Sequence, residues 1–313
     1  MKVAIVGAGS MAREHARAFA AIPGVELVGI TSRTRSKAEA LAKELSIGGV
    51  YDTVDALRAG TSADIVVVTV FELAMKEVAL ACFAHPWTVM LEKPAGYDLE
   101  QAEAIHAAAR KSGRRVFVAL NRRFLSSTRT ALDDLATNPG PRMIHVQDQQ
   151  SLESAAAIGH PAVVVKNWMY ANSIHVVDYL RAFGRGRVVR VNPVQPWRGA
   201  ETRWMLATVE FDSGDLGVYE GIWQGPGPWA VTVNTALKRW EMRPLEEATY
   251  QLANTRKREP VEVSAWDKDF KPGFRRQADE LVKAARGEPN LAVTLDESLE
   301  SMRLVSAVFA LPA

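Results

Sequence analysis

The sequence predicts an α/β protein of two domains, a doubly wound parallel sheet followed by an α+β domain on an antiparallel or mixed sheet. Three observations predict it. Over residues 1–121, short runs rich in valine and isoleucine alternate with stretches of helical period. Strands apolar on both faces, set between amphipathic helices, mean a parallel sheet covered on both sides. Beyond residue 121 the strands alternate polar and apolar residues, and seven of the eight tryptophans lie past residue 160. The length, 313 residues, exceeds one ordinary core and suits two.

Taken in order, strands are expected over 3–6, 26–30, 64–70, 88–91 and 115–120, and helices over 10–20, 36–45, 72–83 and 99–111. The last helix opens on a capping box, with Asp98 as N-cap and Gln101 three residues on. In the second domain, the strand over 204–211 places Met205, Ala207, Val209 and Phe211 on one face, and DSGD at 212–215 turns the chain into a strand over 216–223. Residues 273–286 and 296–310 have helical patterning. One face of this second sheet is expected under helices and the other wet or used as an interface. With no internal repeat and no low-complexity linker, the domains are taken as 1–121 and 122–313, in close contact, with the last helix able to pack back on the first.

Composition excludes several classes. Hydrophobic residues make up 48% and charged residues 24%, as in a soluble globular protein. A formal net charge of +2 leaves no general field for nucleic acid or an anionic membrane. The single cysteine, Cys82, cannot form an internal disulfide and fits a reducing compartment. No secretory leader or 18-residue apolar span is visible, so a cytoplasmic protein is expected. G-x-S-x-G, H-E-x-x-H and C-x-x-C are absent, so serine-hydrolase and zinc chemistry lack support and no metal site is expected.

The first strand, KVAIV, runs into Gly7-Ala8-Gly9-Ser10-Met11-Ala12. This is G-x-G-x-x-A between a strand and a helix, the place a dinucleotide-binding loop requires. Gly7 allows the tight turn, Gly9 leaves room for the pyrophosphate, and Ala12 lets the helix lie close on the strand. The helix start at Ser10 and Met11 offers free amides to the phosphates. After the second strand, where an acidic residue would hold the ribose hydroxyls, stand Thr31-Ser32-Arg33-Thr34-Arg35-Ser36-Lys37. With no carboxylate to repel a 2′-phosphate, NADP(H) is expected over NAD(H), with Ser32, Arg33 and Thr34 as first contacts; Lys37 reads as a solvated helix residue.

The strand over 88–91 ends in Glu92-Lys93-Pro94. Its end opens on the crevice where ligands of such sheets bind. A residue before proline is held in extended conformations, and the Lys-Pro bond can be cis at modest cost. Lys93 is therefore fixed at the strand tip, where an ammonium group can bond a substrate oxygen and stabilise developing negative charge. A surface lysine paired with Glu92 is the plainer and poorer reading.

With strand–GAGSMA–helix, EKP at 92–94, ALNRRF at 119–124, a histidine helix near 175, and closing KPGFRRQADEL and LDESLESMRL segments, the chain resembles the Gfo/Idh/MocA family of glucose–fructose oxidoreductase and inositol dehydrogenase relatives. The resemblance covers nearly the whole length. It implies an N-terminal Rossmann domain and a C-terminal domain on a large open, mostly antiparallel sheet, often used to form homodimers or homotetramers. It also implies Lys93 beside the nicotinamide and the reacting oxygen, with a cis bond to Pro94. Glu92, Asn121, Thr69 and Val70 join the expected cofactor contacts. Thr69-Val70-Phe71 stands where relatives have T-P-N, so packing is expected to replace a polar contact there.

The stretch 167–184 reads as a helix ending at Gly184, with Asn172, His175 and Asp178 fanned along one face. Family members read D-x-G-x-H-x-x-D here. His175 and Asp178 match, but Ala171 stands at the first Asp, beside Asn172. Histidine is the side-chain type whose ordinary titration lies near neutrality, so His175 is expected to serve either as proton donor or acceptor, with Lys93 polarising the oxygen and Asn172 positioning it, or as a structural histidine linked to Asp178. Arg122 and Arg123 either meet an anionic group of substrate or cofactor or form an interdomain salt bridge. Trp168, just before the histidine, is the tryptophan expected to face a substrate. The expected activity is an NADP(H)-dependent oxidoreductase moving hydride to or from a hydroxyl or carbonyl carbon of a small sugar, polyol or sugar derivative, the sugar resting on the resemblance alone. A dinucleotide-retaining glycoside hydrolase or lyase of the same fold and a non-enzymatic NADP-binding sensor are the alternatives.

Overall fold

The computed structural model describes residues 1–311. The first 121 residues give β1 (Lys2–Val6), α1 (Ser10–Ala20), β2 (Glu26–Thr31), α2 (Arg35–Leu45), β3 (Val50–Tyr51), α3 (Val54–Gly60), β4 (Ile65–Val68), α4 (Met75–Phe83), β5 (Thr88–Leu91), α5 (Leu99–Ser112) and β6 (Val116–Val118). Then come α6 (Ser126–Ala136), β7 (Met143–Gln150), α7 (Leu152–Ala157), α8 (Ala162–Lys166) and α9 (Ile174–Phe183). They are followed by β8 (Val188–Gln195), β9 (Trp204–Phe211), β10 (Leu216–Trp223), β11 (Ala230–Asn234), β12 (Lys238–Met242), β13 (Ala248–Leu252) and β14 (Glu259–Pro260). Three helices close the chain: α10 (Ala265–Asp269), α11 (Phe274–Arg286) and α12 (Leu295–Phe309).

Two compact units result, one of Met1–Asn121 with Trp266–Leu299, the other of Arg122–Ala265 with the chain from Glu300 on. In the first, six parallel strands run in the order β3-β2-β1-β4-β5-β6. The order reverses between β1 and β4, so their C-terminal ends open a crevice of the kind that binds dinucleotides. Val3, Ile5, Ile65, Val67 and Met90 are fully or almost fully buried beneath Phe19 of α1 and Phe274 and Leu281 of α11. Each such side chain contributes about 1.5–3 kcal/mol through burial. That apolar stripe on α11, with Ala278 and Val282, is why residues so late in the sequence fold with the first 121.

Several local expectations change in detail. The helix expected over 72–83 opens as a 3-10 turn, Glu72–Ala74, before α4. β4 ends at Val68, so Thr69 to Phe71 leave the sheet. β3 and α3, two and seven residues long, are too short for periodicity to reveal. The capping box is half made. Asp98 Oδ1 accepts from the Gln101 backbone amide at 2.9 Å, whereas Gln101 Oε1 is buried with no hydrogen-bond partner among the described residues.

The second unit holds eight strands in the order β14-β13-β12-β11-β7-β10-β9-β8. Only β7 and β10 pair in parallel; the rest are antiparallel. α9 lies on β7, β10 and β11, covering the face that carries Met205, Ala207, Val209 and Phe211, all buried. The opposite face bears Trp204, 69% exposed, with Leu206, Leu216 and Met143 also exposed. Among the described residues, no helix is long and apolar enough to cross a membrane.

Candidate coenzyme and substrate half-sites

The glycine loop joins β1 to α1 at the crevice of the first unit. Gly7 has φ +112°, and a Cβ there would lie 2.5 Å from Thr69 Oγ1 and 2.6 Å from the Thr69 carbonyl oxygen. The loop therefore crosses close over the end of β4, which only glycine permits. At Gly9 an added Cβ meets nothing within 4 Å. Gly9 is the N-cap of α1, with no side-chain cap and no acidic residue in the first turn. Space for a phosphate group thus stands in front of uncapped amides, including those of Ser10 and Met11, at the positive end of a helix dipole. These residues fit a dinucleotide pyrophosphate.

The end of β2 supplies the next contacts. Thr31 is buried, Ser32 is half-buried, and Arg33 and Thr34 are exposed. Thr34 caps α2 by position without a side-chain bond, and the first turn again lacks an acid. Arg35 bonds to Glu39 at 2.9 Å and to Asp52, and these carboxylates, Asp52 foremost, raise its guanidinium above the ordinary value. Arg33 and Lys37 are the cations of this stretch without a carboxylate partner among the described residues.

At the tip of β5 the Lys93–Pro94 bond is cis. Pro94 is buried and Lys93 half-buried. Glu92 is turned inward, 8% exposed. Its Oε1 lies 2.7 Å from His15 Nε2 and its Oε2 accepts the Lys93 backbone N–H at 3.0 Å. His15, on α1, is wholly buried and packs on Phe274 with ring centroids 4.5 Å apart. Sequence reasoning missed His15; its place on the buried stripe of α1, five residues after Ser10, was the available signal. Asn121 is buried with its amide donated to the Pro272 carbonyl at 3.0 Å. Thr69 Oγ1 donates to the Val6 carbonyl at 3.1 Å, Val70 is half-buried, and Phe71 is exposed beside it.

The second unit carries the other expected residues. The helix predicted over 167–184 is interrupted. Met169–Ser173 form a π-helical turn in which the Ile174 N–H reaches back to the Met169 carbonyl, and α9 begins only then. A π turn holds more residues per turn than an α turn, so Asn172 and His175 depart from the 100° spacing. His175 is 8% exposed, its ring centroid 6.2 Å from that of Trp229. Asp178 gives both oxygens to Arg123, at 2.6 and 2.7 Å, and accepts from Ser301 Oγ at 2.5 Å. Arg123 is thereby spent inside this unit. Arg122 pairs with Glu246 and lies over Trp229, 5.5 Å from its ring centroid.

Beside these residues lies a cleft of about 470 Å³, lined by Gln149, Gln150, Ser151, Ser154, Trp168, Asn172 and Trp229 among others. Gln150 Oε1 accepts from both Trp168 Nε1 and Asn172 Nδ2 at 2.9 Å. Gln150 Nε2 donates to Asp148 Oδ1 at 2.5 Å, and Tyr219 donates to Asp148 Oδ2 at 2.8 Å. Burial pushes the Asp148 carboxyl up from its ordinary value, with the Tyr219 and Gln150 bonds opposing. Asp148 and Gln150 fall on the buried side of alternating β7, and polar residues in that register were the sequence signal for this network. Among the described residues no cluster suited to a metal ion occurs.

Residues 1–120 match a family described as "Oxidoreductase family, NAD-binding Rossmann fold". Over 306 residues the chain is 27% identical to 4-carboxy-2-hydroxymuconate-6-semialdehyde dehydrogenase of Sphingobium sp., covering 94% of this chain and 93% of that protein. It is 34% identical over 125 residues to glucose-6-phosphate 3-dehydrogenase of Bacillus subtilis, covering 40% of this chain and 35% of that protein. A crystal structure of a dehydrogenase from Chromobacterium violaceum shares the fold, with TM-score 0.86 and 19% identity over 99% of this chain and 94% of that one.

Proposed function

We propose that this chain, whose residues 1–120 match the Gfo/Idh/MocA oxidoreductase family with its NAD-binding Rossmann fold, is a member of that family and transfers hydride between NADP(H) and a ring or chain hydroxyl carbon of a sugar or polyol. The observation that carries the reading is the pairing of an open, uncapped glycine loop with Lys93 held at the β5 tip of the same sheet. The dehydrogenases of glucose-6-phosphate and of a muconate semialdehyde among its relatives support hydroxyl or carbonyl chemistry. Preference for NADP(H) rests on Ser32, Arg33 and Thr34, which offer hydroxyls and a cation with no partner carboxylate at the end of β2.

The bound nicotinamide supplies the hydride acceptor or donor. Gly7, Gly9, Ser10 and Met11 would hold the coenzyme phosphates, with Thr69, Val70 and Asn121 as further coenzyme contacts. The Lys93 ammonium bonds the substrate oxygen and stabilises its negative charge as hydride leaves or arrives. The second unit offers His175 as a group able to take or return a hydroxyl proton, with Asn172 and Trp168 able to orient a substrate. Glu92 acts behind Lys93, through the backbone N–H it accepts. Arg122 and Arg123 act from behind as well, since both hold carboxylates. We further propose that copies of the chain pair through the open face of the eight-stranded sheet, where Trp204, Leu206, Leu216 and Met143 are exposed, into a homodimer or homotetramer.

Thermal-shift titration with NADP⁺ and NAD⁺ tests the coenzyme; NADP⁺ is expected to raise Tm at lower concentration. A panel of sugars, polyols and nucleotide sugars then follows, read at the reduced-nicotinamide absorbance. Turnover of substrate with no net absorbance change would move the assignment to a dinucleotide-retaining hydrolase or lyase. Full biological function in a Lys93→Ala variant would move it to a sensor.

A further inference from the structure

We propose that Asp148 and Gln150 fix the direction of the Asn172 amide, so that the cleft presents the Asn172 carbonyl oxygen and accepts the hydroxyl hydrogen of a neutral, polyhydroxylated ring. This rests on the reading of the second unit as the substrate-binding half.

An amide side chain at a site edge is ambiguous, because turning it over exchanges a donor for an acceptor at little cost in shape. Here both ends of the hydrogen-bond chain are one-sided. The Trp168 indole N–H can only donate, so the group 2.9 Å from it must be the Gln150 carbonyl oxygen. The Gln150 nitrogen then faces Asp148 Oδ1 at 2.5 Å, while Asp148 Oδ2 is held by the Tyr219 hydroxyl at 2.8 Å. Reversing Gln150 would set N–H against N–H at Trp168 and oxygen against oxygen at Asp148. Both contacts are buried, where an unmatched polar group is costly.

The fixed Gln150 oxygen decides Asn172. It only accepts, so Asn172 must turn Nδ2 towards it, at 2.9 Å. Asn172 Oδ1 is left with no hydrogen bond among the described residues, on a half-buried side chain that lines the cleft. An exposed acceptor selects ligand groups that donate.

The rest of the lining sets the ligand's chemistry. Gln149, Gln150, Ser151, Ser154 and Asn172 offer amides and hydroxyls, and Trp168 and Trp229 offer flat apolar faces. Trp229 is pinned by its Nε1 donating to the Gln149 carbonyl at 2.8 Å. No lining residue carries a charge, so a phosphate, carboxylate or ammonium seated here would lose water without gaining a counter-charge. A ring with C–H faces and hydroxyl edges matches every group present. Asp148 and Gln150 are positioning residues in this arrangement, and Asn172 is the contact.

The test is calorimetric titration of the full chain with methyl hexopyranosides and inositols, against hexose phosphates and hexuronates. The tightest neutral ligand is then compared with its monodeoxyfluoro derivatives. Fluorine keeps the size of a hydroxyl but cannot donate. Neutral rings are expected to bind at least tenfold more tightly than charged ones, and fluorine at one position is expected to weaken binding about tenfold. Gln150→Leu should shrink that fluorine penalty to about twofold, because the freed amide can turn its N–H to fluorine. If Gln150→Leu fails to fold, Asn172→Leu, which removes the acceptor, should abolish the penalty. Tighter binding of charged sugars, no binding of neutral rings, or a fluorine penalty indifferent to these substitutions overturns the proposal. Neutral-ring binding without hydride transfer in the presence of NADP⁺ would remove the oxidoreductase reading and keep this one. Hydride transfer confined to charged sugars would do the reverse.

Discussion

His15 Nε2 lies 2.7 Å from Glu92 Oε1, and both side chains are buried. The other Glu92 oxygen takes the Lys93 N–H, so the helix that opens on the glycine loop is bonded to the peptide that carries the strand-tip lysine. His15 Nδ1 has no hydrogen-bond partner among the described residues, and a ring with its one proton on Nε2 satisfies this geometry. His15→Leu would leave a buried carboxylate short of a donor and is expected to cost about 1–3 kcal/mol, read as a lower Tm. Adding Glu92→Gln should recover part of that loss, so the double variant should be more stable than the two single losses predict. Strict additivity in chemical denaturation would show that the pair is not coupled.

Gly7 and Gly9 should respond differently to the same substitution. Gly7→Ala places a methyl group 2.6 Å from a backbone carbonyl at positive φ, so it should lower the Tm of the free protein. Gly9→Ala meets open space and should leave that Tm within a degree or two. Its effect should be confined to the coenzyme-induced shift, which the methyl group reduces by occupying phosphate space.

Arg33→Ala should weaken NADPH roughly 10- to 150-fold while sparing NADH, taking one charge-assisted hydrogen bond as about 1.5–3 kcal/mol. Fluorescence titration with the two coenzymes measures this directly. Equal losses for both would remove the assignment of a 2′-phosphate contact.

Lys93→Ala and His175→Ala are each expected to lower kcat by about 10²- to 10⁴-fold, with smaller changes in KM. A loss confined to KM would make either residue a binding group without a role in the chemical step. Single-turnover measurements with saturating coenzyme separate the cases.

Asp215 sets an acid limit on the second unit. Burial pushes its carboxyl up, but the Arg185 side chain and the Arg142 and Arg185 backbone amides outweigh it, and the net direction is down. A carboxyl depressed on folding contributes stability that is present above its unfolded value of about 3.9 and is lost as pH falls through the folded value. Asp215→Asn should cost about 3 kcal/mol near neutrality, leaving Arg142 and Arg185 without their shared anion. The gap between wild type and variant in thermal unfolding should narrow below about pH 4.

Much of the site was legible where the chemistry is local. The glycine loop, the Glu-Lys-Pro tip and the cation-bearing turn after β2 each occupy a few consecutive residues, and their conformational rules act over that span. The strands of the parallel sheet showed in continuous apolar runs, and the β9 face in strict alternation. What escaped was the short elements of the first unit, several elements of the second such as α6, β7 and β8, and every pairing between partners far along the chain. β3 has two residues and no period to detect. His15 and Glu92 are 77 residues apart, and Arg123 and Asp178 are 55 apart, so nothing in either neighbourhood indicates the pairing. The π turn at Met169–Ser173 changes hydrogen bonding without changing the apolar pattern that suggested a helix.

By itself, the sequence determined the alternation of the main strands and helices over the first 121 residues, the dinucleotide-type loop and the residues proposed to meet coenzyme and substrate, because backbone preference and hydrophobic period are properties of neighbouring residues. Only the tertiary structure decided which way those residues are committed: Glu92 to His15, Asn121 to Pro272, Arg123 to Asp178, Asn172 to Gln150. A buried polar group must find a partner, and which partner it finds is set by packing between segments remote in the chain.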